Sequence, residues 1–281
     1  EMPSANRREL FAKFASNGRF VWLARNLTPK QHHRLNRLGL PGIEFQHGER
    51  RVYPHGALVS HVLGLTDVDG RGVAGLESYF ESALRTGTGP LRTSIDLRVQ
   101  SLLRDELMTA METFKAIGAT GLVMEVTSGE IIAMVSLPDY DPNKPINMTH
   151  KTAFNRASKG VYEMGSTFKL FTAAMALDSG TVRVEDGYDA SRPIRVARFT
   201  ISDYHAKNRW LSVPEIILHS SNIGAAKMAM DVGAKNQRGY LKRFGLLRPA
   251  ELELPEVGRP LLPSVWRPIN TMTISYGHGI S

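Results

Sequence analysis

The sequence predicts an α+β fold in which a β-hairpin packs among helices. Three observations carry this. A long helix follows Asp96, with Val99, Leu102, Leu103, Leu107, Met111 and Phe114 at helical spacing. Two alternating segments, 119–126 and 130–136, flank Thr127-Ser128-Gly129, which reads as a hairpin turn. The run Leu170 to Leu177 is apolar almost throughout, as in a buried helix.

Each element has a local reason. Thr28-Pro29-Lys30-Gln31 opens a short helix ending near Gly39, with Thr28 and Gln31 placed as a capping box. Pro41 to Tyr53 suggests extended chain. Arg85-Thr86-Gly87-Thr88-Gly89-Pro90 is the best linker, so a domain boundary is expected there, separating residues 1–90 from 91–281. Asp96 caps the long helix, which runs to about Lys115, and its apolar stripe is expected to be core. Asp178-Ser179-Gly180 stops the helix after Leu177, with Gly180 suited to a left-handed cap. Ser212 and Pro214 mark the start of another short helix.

Gly165-Ser166-Thr167-Phe168-Lys169 sits at the start of the apolar helix. Positions i and i+3 are neighbours on one helix face, so Ser166 and Lys169 would touch. A serine hydroxyl is a poor nucleophile until a base takes its proton. A lysine can be that base only when its amine is neutral, which burial favours. The positive end of the helix dipole pushes the same way. A bare Ser-x-x-Lys is common, and alone it reads as an exposed lysine after a capping serine.

Ser220-Ser221-Asn222 follows about fifty residues later, at an expected break between helices. The Ser220 hydroxyl could relay a proton between a leaving group and Lys169. The Asn222 amide could hold a peptide group of a substrate. Alone the triplet would be an ordinary turn, but it follows Ser-x-x-Lys at a telling distance.

With these motifs the chain resembles the class B penicillin-binding proteins, the monofunctional peptidoglycan transpeptidases, most of all the division-specific group. Similar motif sets mark serine acyl-enzymes generally. The resemblance extends over Arg51-Val52-Tyr53-Pro54, Gly72-Val73-Ala74-Gly75-Leu76-Glu77, Ser94-Ile95-Asp96-Leu97-Arg98-Val99-Gln100, Gly129-Glu130-Ile131-Ile132-Ala133-Met134 and Ser275-Tyr276-Gly277-His278-Gly279. It is weakest before Arg50. It implies a serine-acyltransferase domain of the β-lactamase and transpeptidase type, here partial, preceded by an extended amino-terminal pedestal that serves dimerisation or partner binding. It further implies a D,D-transpeptidase that crosslinks stem peptides through a serine acyl-enzyme in septal wall synthesis and is trapped by β-lactams. Ser166, Lys169 and Ser220 would be catalytic and Asn222 would bind substrate. The Ser166 backbone N–H would supply one oxyanion donor. No metal or organic cofactor is expected. Expected partners are peptidoglycan stem peptides ending in D-Ala-D-Ala, β-lactam antibiotics, and division proteins including a glycan polymerase. The expected location is the periplasmic side of a bacterial inner membrane. A related serine hydrolase (a β-lactamase or penicillin sensor) and a catalytically silent division scaffold are the alternatives.

The family's Lys-Thr-Gly is absent, and Lys151-Thr152-Ala153 precedes the nucleophile instead of following Ser220-Ser221-Asn222. Both ends are expected to be cut, leaving a fragment without its membrane anchor and without the Lys-Thr-Gly strand. Such a fragment would be impaired, since losing one oxyanion donor costs about 2.7–4 kcal/mol.

Composition is that of a globular chain, with 42% hydrophobic and 22% charged residues. With no cysteine there is neither a disulfide framework nor a thiolate metal site. The net charge of +8 is concentrated at the amino end, where residues 1–51 hold ten Lys or Arg against four Asp or Glu. Phe11, Phe14, Phe20 and Trp22 interleave with these cations, but no nucleic-acid motif accompanies them, and an anionic membrane or a division protein suits the pattern better. Gly70-Arg71-Gly72-Val73-Ala74-Gly75 matches Gly-x-Gly-x-x-Gly, yet Thr66-Asp67-Val68-Asp69 before it is turn-like, against a dinucleotide site. Asp67 and Asp69 suggest a calcium loop, but Ser78 stands where a bidentate glutamate is required. His32 and His33 are adjacent, so they point apart on a helix and suit no zinc site.

Overall fold

A computed structural model of the chain describes residues 7–15, 20–87, 89–145, 148–196 and 198–281. The described residues divide into two compact units. Residues up to Thr93 together with Asp139–Met148 form the first, and Ser94–Pro138 with Thr149–Ser281 form the second. The return of residues 139–148 to the first unit has no counterpart in the linker signals of the sequence.

In the first unit, helices α1 (Arg7–Phe14) and α2 (Pro29–Asn36) precede a long irregular stretch. Thr28 and Gln31 form the expected capping box on α2. His32 and His33 are exposed, and His32 stacks edge-on against Phe45 at 4.3 Å. After a turn at Pro41-Gly42, residues 43–53 belong to no helix or strand. Helix α3 (Ser60–Leu63), the short hairpin β1 (Leu65–Thr66) with β2 (Gly72–Ala74), and helices α4 (Gly75–Tyr79) and α5 (Glu81–Thr86) follow. Tyr53, Leu65 and Tyr140 make a small core. Asn143 locks Tyr53 in place by accepting from its N–H at 3.0 Å and donating to its carbonyl at 2.8 Å.

Two glycines of the Gly-x-Gly-x-x-Gly match, Gly72 and Gly75, have a packing explanation, while Gly70 has open space and a left-handed φ of +76. A Cβ at Gly72 would lie 2.0 Å from the Glu77 carbonyl oxygen, and one at Gly75 would lie 2.5 Å from the Gly64 nitrogen. Close backbone approach between the hairpin and α4 requires them. The Asp67 carboxylate is engaged within its own turn, accepting from the N–H groups of Asp69 at 2.8 Å and Arg71 at 2.9 Å.

The second unit begins with α6 (Leu97–Phe114), capped by Asp96 accepting from Arg98 N–H and closed by Lys115 in the left-handed region. The antiparallel hairpin of β3 (Ala119–Met124) and β4 (Ile131–Leu137) lies against it. Leu103 and Leu107 rest on Gly121, where a Cβ would come within 2.9 Å of Leu103. The apolar stripe of α6 is not wholly core. Leu102 is 62% exposed and Phe114 79% exposed. Leu102 lies about 100° round the helix from Leu103 and so cannot share its face, and Phe114 occupies the last turn, beyond the sheet-facing residues. The most buried position of α6 is polar: Gln100, 1% exposed, donates to the Met134 carbonyl and accepts from the Met134 N–H, both at 2.8 Å. Its amide thus serves β4 as a neighbouring strand would. Strand β4 is buried over most of its length, whereas β3 is largely exposed and pairs with no other strand among the described residues.

After α7 (His150–Ala153), a 3-10 turn (Gly165–Thr167) runs into α8 (Phe168–Asp178). Helix α8 ends in a Schellman motif: Gly180 N–H bonds to the Leu177 carbonyl and Thr181 N–H to the Ala176 carbonyl, both at 3.0 Å. Two nested antiparallel pairs follow, β5 (Gly187–Asp189) with β8 (Trp210–Ser212), and between them β6 (Ile194–Val196) with β7 (Phe199–Ile201). Helices α9 (Val213–Leu218), α10 (Asn222–Val232), α11 (Ala234–Arg243) and α12 (Pro268–Ile274) complete the unit. Phe168, Met175, Leu211, Ile216, Ile223, Met228, Leu241 and Ile274 form its main core. Each such side chain contributes about 1.5–3 kcal/mol on burial, which fixes α8 beside α10. No helix among the described residues is long and apolar enough to cross a membrane.

Candidate active site

Ser166 stands second in the 3-10 turn that leads into α8, and Lys169 occupies the first turn of that helix. The spacing brings them together: Lys169 Nζ lies 2.9 Å from Ser166 Oγ. Lys169 is 2% exposed, packed in the helical core. Burial lowers its amine from the ordinary 10.5 to about 8, while the negative charge of Asp203 pulls the other way.

Ser220 completes a triangle. Its Oγ lies 2.8 Å from Lys169 Nζ and 3.1 Å from Ser166 Oγ, and its carbonyl oxygen accepts from Lys169 at 2.9 Å. One residue can present both oxygens to one amine because its backbone is left-handed, with φ +54. A non-glycine residue there carries about 1 kcal/mol or more of strain, a feature that clusters at functional sites. The turn follows from α9, where Glu215 reaches back to the Ser212 N–H at 2.9 Å and Pro214 sits in the first turn. At its other end Ser221 caps α10, accepting from Gly224 N–H at 2.9 Å.

Asn222 is the first residue of α10, so it already belongs to the helix that follows the expected break. Its Nδ2 donates to the Ser202 carbonyl at 3.1 Å. The side chain is therefore held from β7's end of the chain, and it stands in the residue next but one to Ser220.

Asp203 carried no sequence signal of its own, whereas Ser275-Tyr276-Gly277-His278-Gly279 entered only through the family resemblance. Asp203 accepts from Ser221 Oγ at 2.7 Å and from Ile223 N–H at 2.9 Å. Near the carboxyl end of the chain, Gly277 O accepts from Gly165 N–H at 3.1 Å, and Glu163 accepts from Gly279 N–H at 2.7 Å while pairing with His278 at 2.8 Å. The Gly279 N–H, with help from His278, holds the Glu163 carboxyl below its ordinary value. A Cβ on Gly277 would come within 2.1 Å of the Gly165 carbonyl oxygen. Thr172 of α8 also donates to the Ser275 carbonyl at 2.9 Å. The segment Ser275–Gly279 thus braces the chain that delivers Ser166. No cluster of His, Asp or Glu able to hold a metal occurs among the described residues.

The chain is similar to known proteins over most of its length. A family model described as "Penicillin binding protein transpeptidase domain" matches residues 119–281, and one for the penicillin-binding protein dimerisation domain matches residues 4–98. A probable peptidoglycan D,D-transpeptidase FtsI of Caulobacter vibrioides is 44% identical over 259 residues, covering 91% of this chain and 44% of the relative. Peptidoglycan D,D-transpeptidase FtsI of Escherichia coli is 31% identical, covering 97% of this chain and 51% of the relative. The chain therefore spans about half the length of these relatives. Among solved structures, penicillin-binding protein 3 of Mycobacterium tuberculosis shares the fold, with a TM-score of 0.71 at 23% identity over 82% of this chain and 55% of that one. Pseudomonas aeruginosa PBP2, solved in complex with WCK 5153, does so with a TM-score of 0.69 at 22% identity, over 83% of this chain and 62% of that one. With one family model spanning more than half of its residues, the chain belongs to the penicillin-binding protein transpeptidase family.

Proposed function

We propose that the chain carries the acylation centre of a peptidoglycan D,D-transpeptidase of septal wall synthesis, with residues 91–281 as the catalytic portion and residues 1–90 as a pedestal for dimerisation or partner contact. The supporting observation is the Ser166–Lys169–Ser220 triangle around a buried amine of lowered proton affinity.

Hydrogen-bond counting supports the assignment of roles. A protonated Lys169 has three donors and faces three acceptors, Ser166 Oγ, Ser220 Oγ and Ser220 O. When the amine is neutral it keeps two donors. The Ser220 carbonyl can only accept, so it retains one, and Ser220 Oγ takes the other. The lone pair is then left for the Ser166 hydroxyl. The triangle thus aims the amine's basic site at the nucleophile.

In the proposed reaction Ser166 Oγ attacks the carbonyl between the two terminal D-alanines of a stem peptide, and its proton passes to Lys169. The Ser166 N–H faces the developing oxyanion. Ser220 relays a proton to the departing D-alanine amine as the C–N bond breaks. Asn222 orients the donor stem. The amine of a second stem then attacks the acyl-enzyme carbonyl; the C–N bond of the crosslink forms as the ester bond to Ser166 Oγ breaks, and the proton the amine loses passes through Lys169 to Ser166 Oγ. A β-lactam would acylate the same oxygen. Division proteins with a glycan polymerase among them would be the partners, at the periplasmic face of the inner membrane.

The test is covalent labelling with a fluorescent penicillin. The parent protein should label, and Ser166→Ala should not. Lys169→Ala should label at least 100-fold more slowly, the lower range for loss of general base catalysis. Persistent labelling of Ser166→Ala removes the nucleophile assignment.

A further inference from the structure

We infer that Asp203 is the positioning residue of this site, holding the Ser220–Asn222 turn against Lys169. The inference rests on the acyl-serine reading above. Asp203, itself half-buried, follows β7 in an otherwise exposed loop, separated in sequence from both motifs. Its two carboxylate oxygens are divided between two elements of one turn: Oδ2 takes the Ser221 hydroxyl at 2.7 Å and Oδ1 takes the Ile223 N–H at 2.9 Å. Those contacts bracket Asn222, whose own amide donates to the adjacent Ser202 carbonyl at 3.1 Å. Residues 202–203 therefore grip all three positions from 221 to 223.

The grip has a mechanical purpose. Ser220 holds an unfavourable left-handed backbone with no side-chain tether of its own except to Ser166 and Lys169. Such a conformation persists when its surroundings over-determine it. On one side it is fixed by Ser220 N–H and Ser221 N–H bonding back to the Ile217 and Ile216 carbonyls at 3.1 and 2.9 Å. On the other side Asp203 supplies the fixation. A carboxylate at the amino end of α10 also suits the helix dipole and makes charge-assisted bonds.

The second arm is electrostatic. Asp203 is the charged group that acts on Lys169 among the described residues, and it favours the protonated amine, against burial. Placement and proton affinity are thus set by one carboxylate, which offers a way to separate them. Asp203→Asn keeps an acceptor for Ile223 N–H and a polar partner for Ser221 but removes the charge. Asp203→Ala removes both.

The experiment follows penicillin acylation of the protein across pH 6–9.5. For Asp203→Asn the midpoint of the rate profile should move to lower pH, with the plateau within a few-fold of the parent. For Asp203→Ala the plateau should fall about 10- to 100-fold, the range for losing a charge-assisted hydrogen bond. A merely structural residue would not move the midpoint. An unmoved midpoint in Asp203→Asn, or an undiminished plateau in Asp203→Ala, overturns the inference. If the alanine variant does not fold, Ser221→Ala replaces it and is expected to lower the plateau without moving the midpoint; an unchanged plateau there also overturns the grip. Failure of Ser166→Ala to abolish labelling would sink the acyl-serine reading itself, a result independent of either Asp203 variant.

Discussion

Raising pH should switch on acylation of Ser166 along the titration of Lys169. The working form of the base is the neutral amine. With its proton affinity lowered by burial to about 8, about one amine in ten is neutral at pH 7, by the ordinary titration relation. At the ordinary lysine value of 10.5, about three in ten thousand would be. Burial of this one side chain therefore supplies a few hundred times more competent base at neutral pH, on the order of two to three factors of ten. The sign is fixed: the group is inactive when protonated, so the rate rises with pH. From pH 6 to pH 9 the neutral fraction grows about 90-fold, with most of the rise below pH 8 and a plateau above it. The assay is the second-order rate constant for labelling by a fluorescent penicillin, corrected for hydrolysis of the free reagent. Lys169→Arg serves as a control, since a guanidinium stays protonated throughout and should not support acylation. A rate that is flat across pH 6–9, or one still rising tenfold per unit at pH 9.5, would falsify the assignment of Lys169 as the base.

Two structural substitutions test the frame around the site. Gln100→Leu should lower stability by about 2–4 kcal/mol in denaturant unfolding, because the Met134 N–H and carbonyl both lose their partner within the fold; a change under 0.5 kcal/mol would show that β4 does not depend on this amide. Gly277→Ala should cost about 2–5 kcal/mol, from overpacking against the Gly165 carbonyl together with a left-handed backbone of φ +75. It should also depress penicillin labelling, since the residue displaced lies next to Ser166, and an unaltered melting temperature would refute the close contact.

Local rules made much of this molecule legible. The capping box at Thr28, the Asp96 cap, the Gly180 stop and the hairpin turn at 127–129 each depend on a few neighbouring residues, and all four are found. Ser166 and Lys169 were legible for the same reason, as three residues of helix suffice to bring them into contact. Ser220 needed only its turn to be placed opposite α8. Non-local partners left no such trace. Asp203 reads as one polar residue in a loop, and only folding shows that it meets Ser221 and Ile223. Gln100 looks like a solvent-facing position between apolar ones, yet the helix turns it onto a strand that lacks a partner on that side. The opposite error occurs at Leu102 and Phe114, where apolar character alone suggested burial and the helix geometry denied it.

The contact between Gly165 and Gly277 also constrains how such a protein can diversify. Here main chain lies against main chain, and no side chain of any size fits at position 277. Position 165 has room for a Cβ, but its φ of +58 penalises every residue that would bring one. Selection for altered reactivity or drug escape consequently has little to work with at the approach to the nucleophile. Tyr204, His205 and Leu218 differ in kind: their side chains are exposed, so a change of residue there meets no such main-chain barrier.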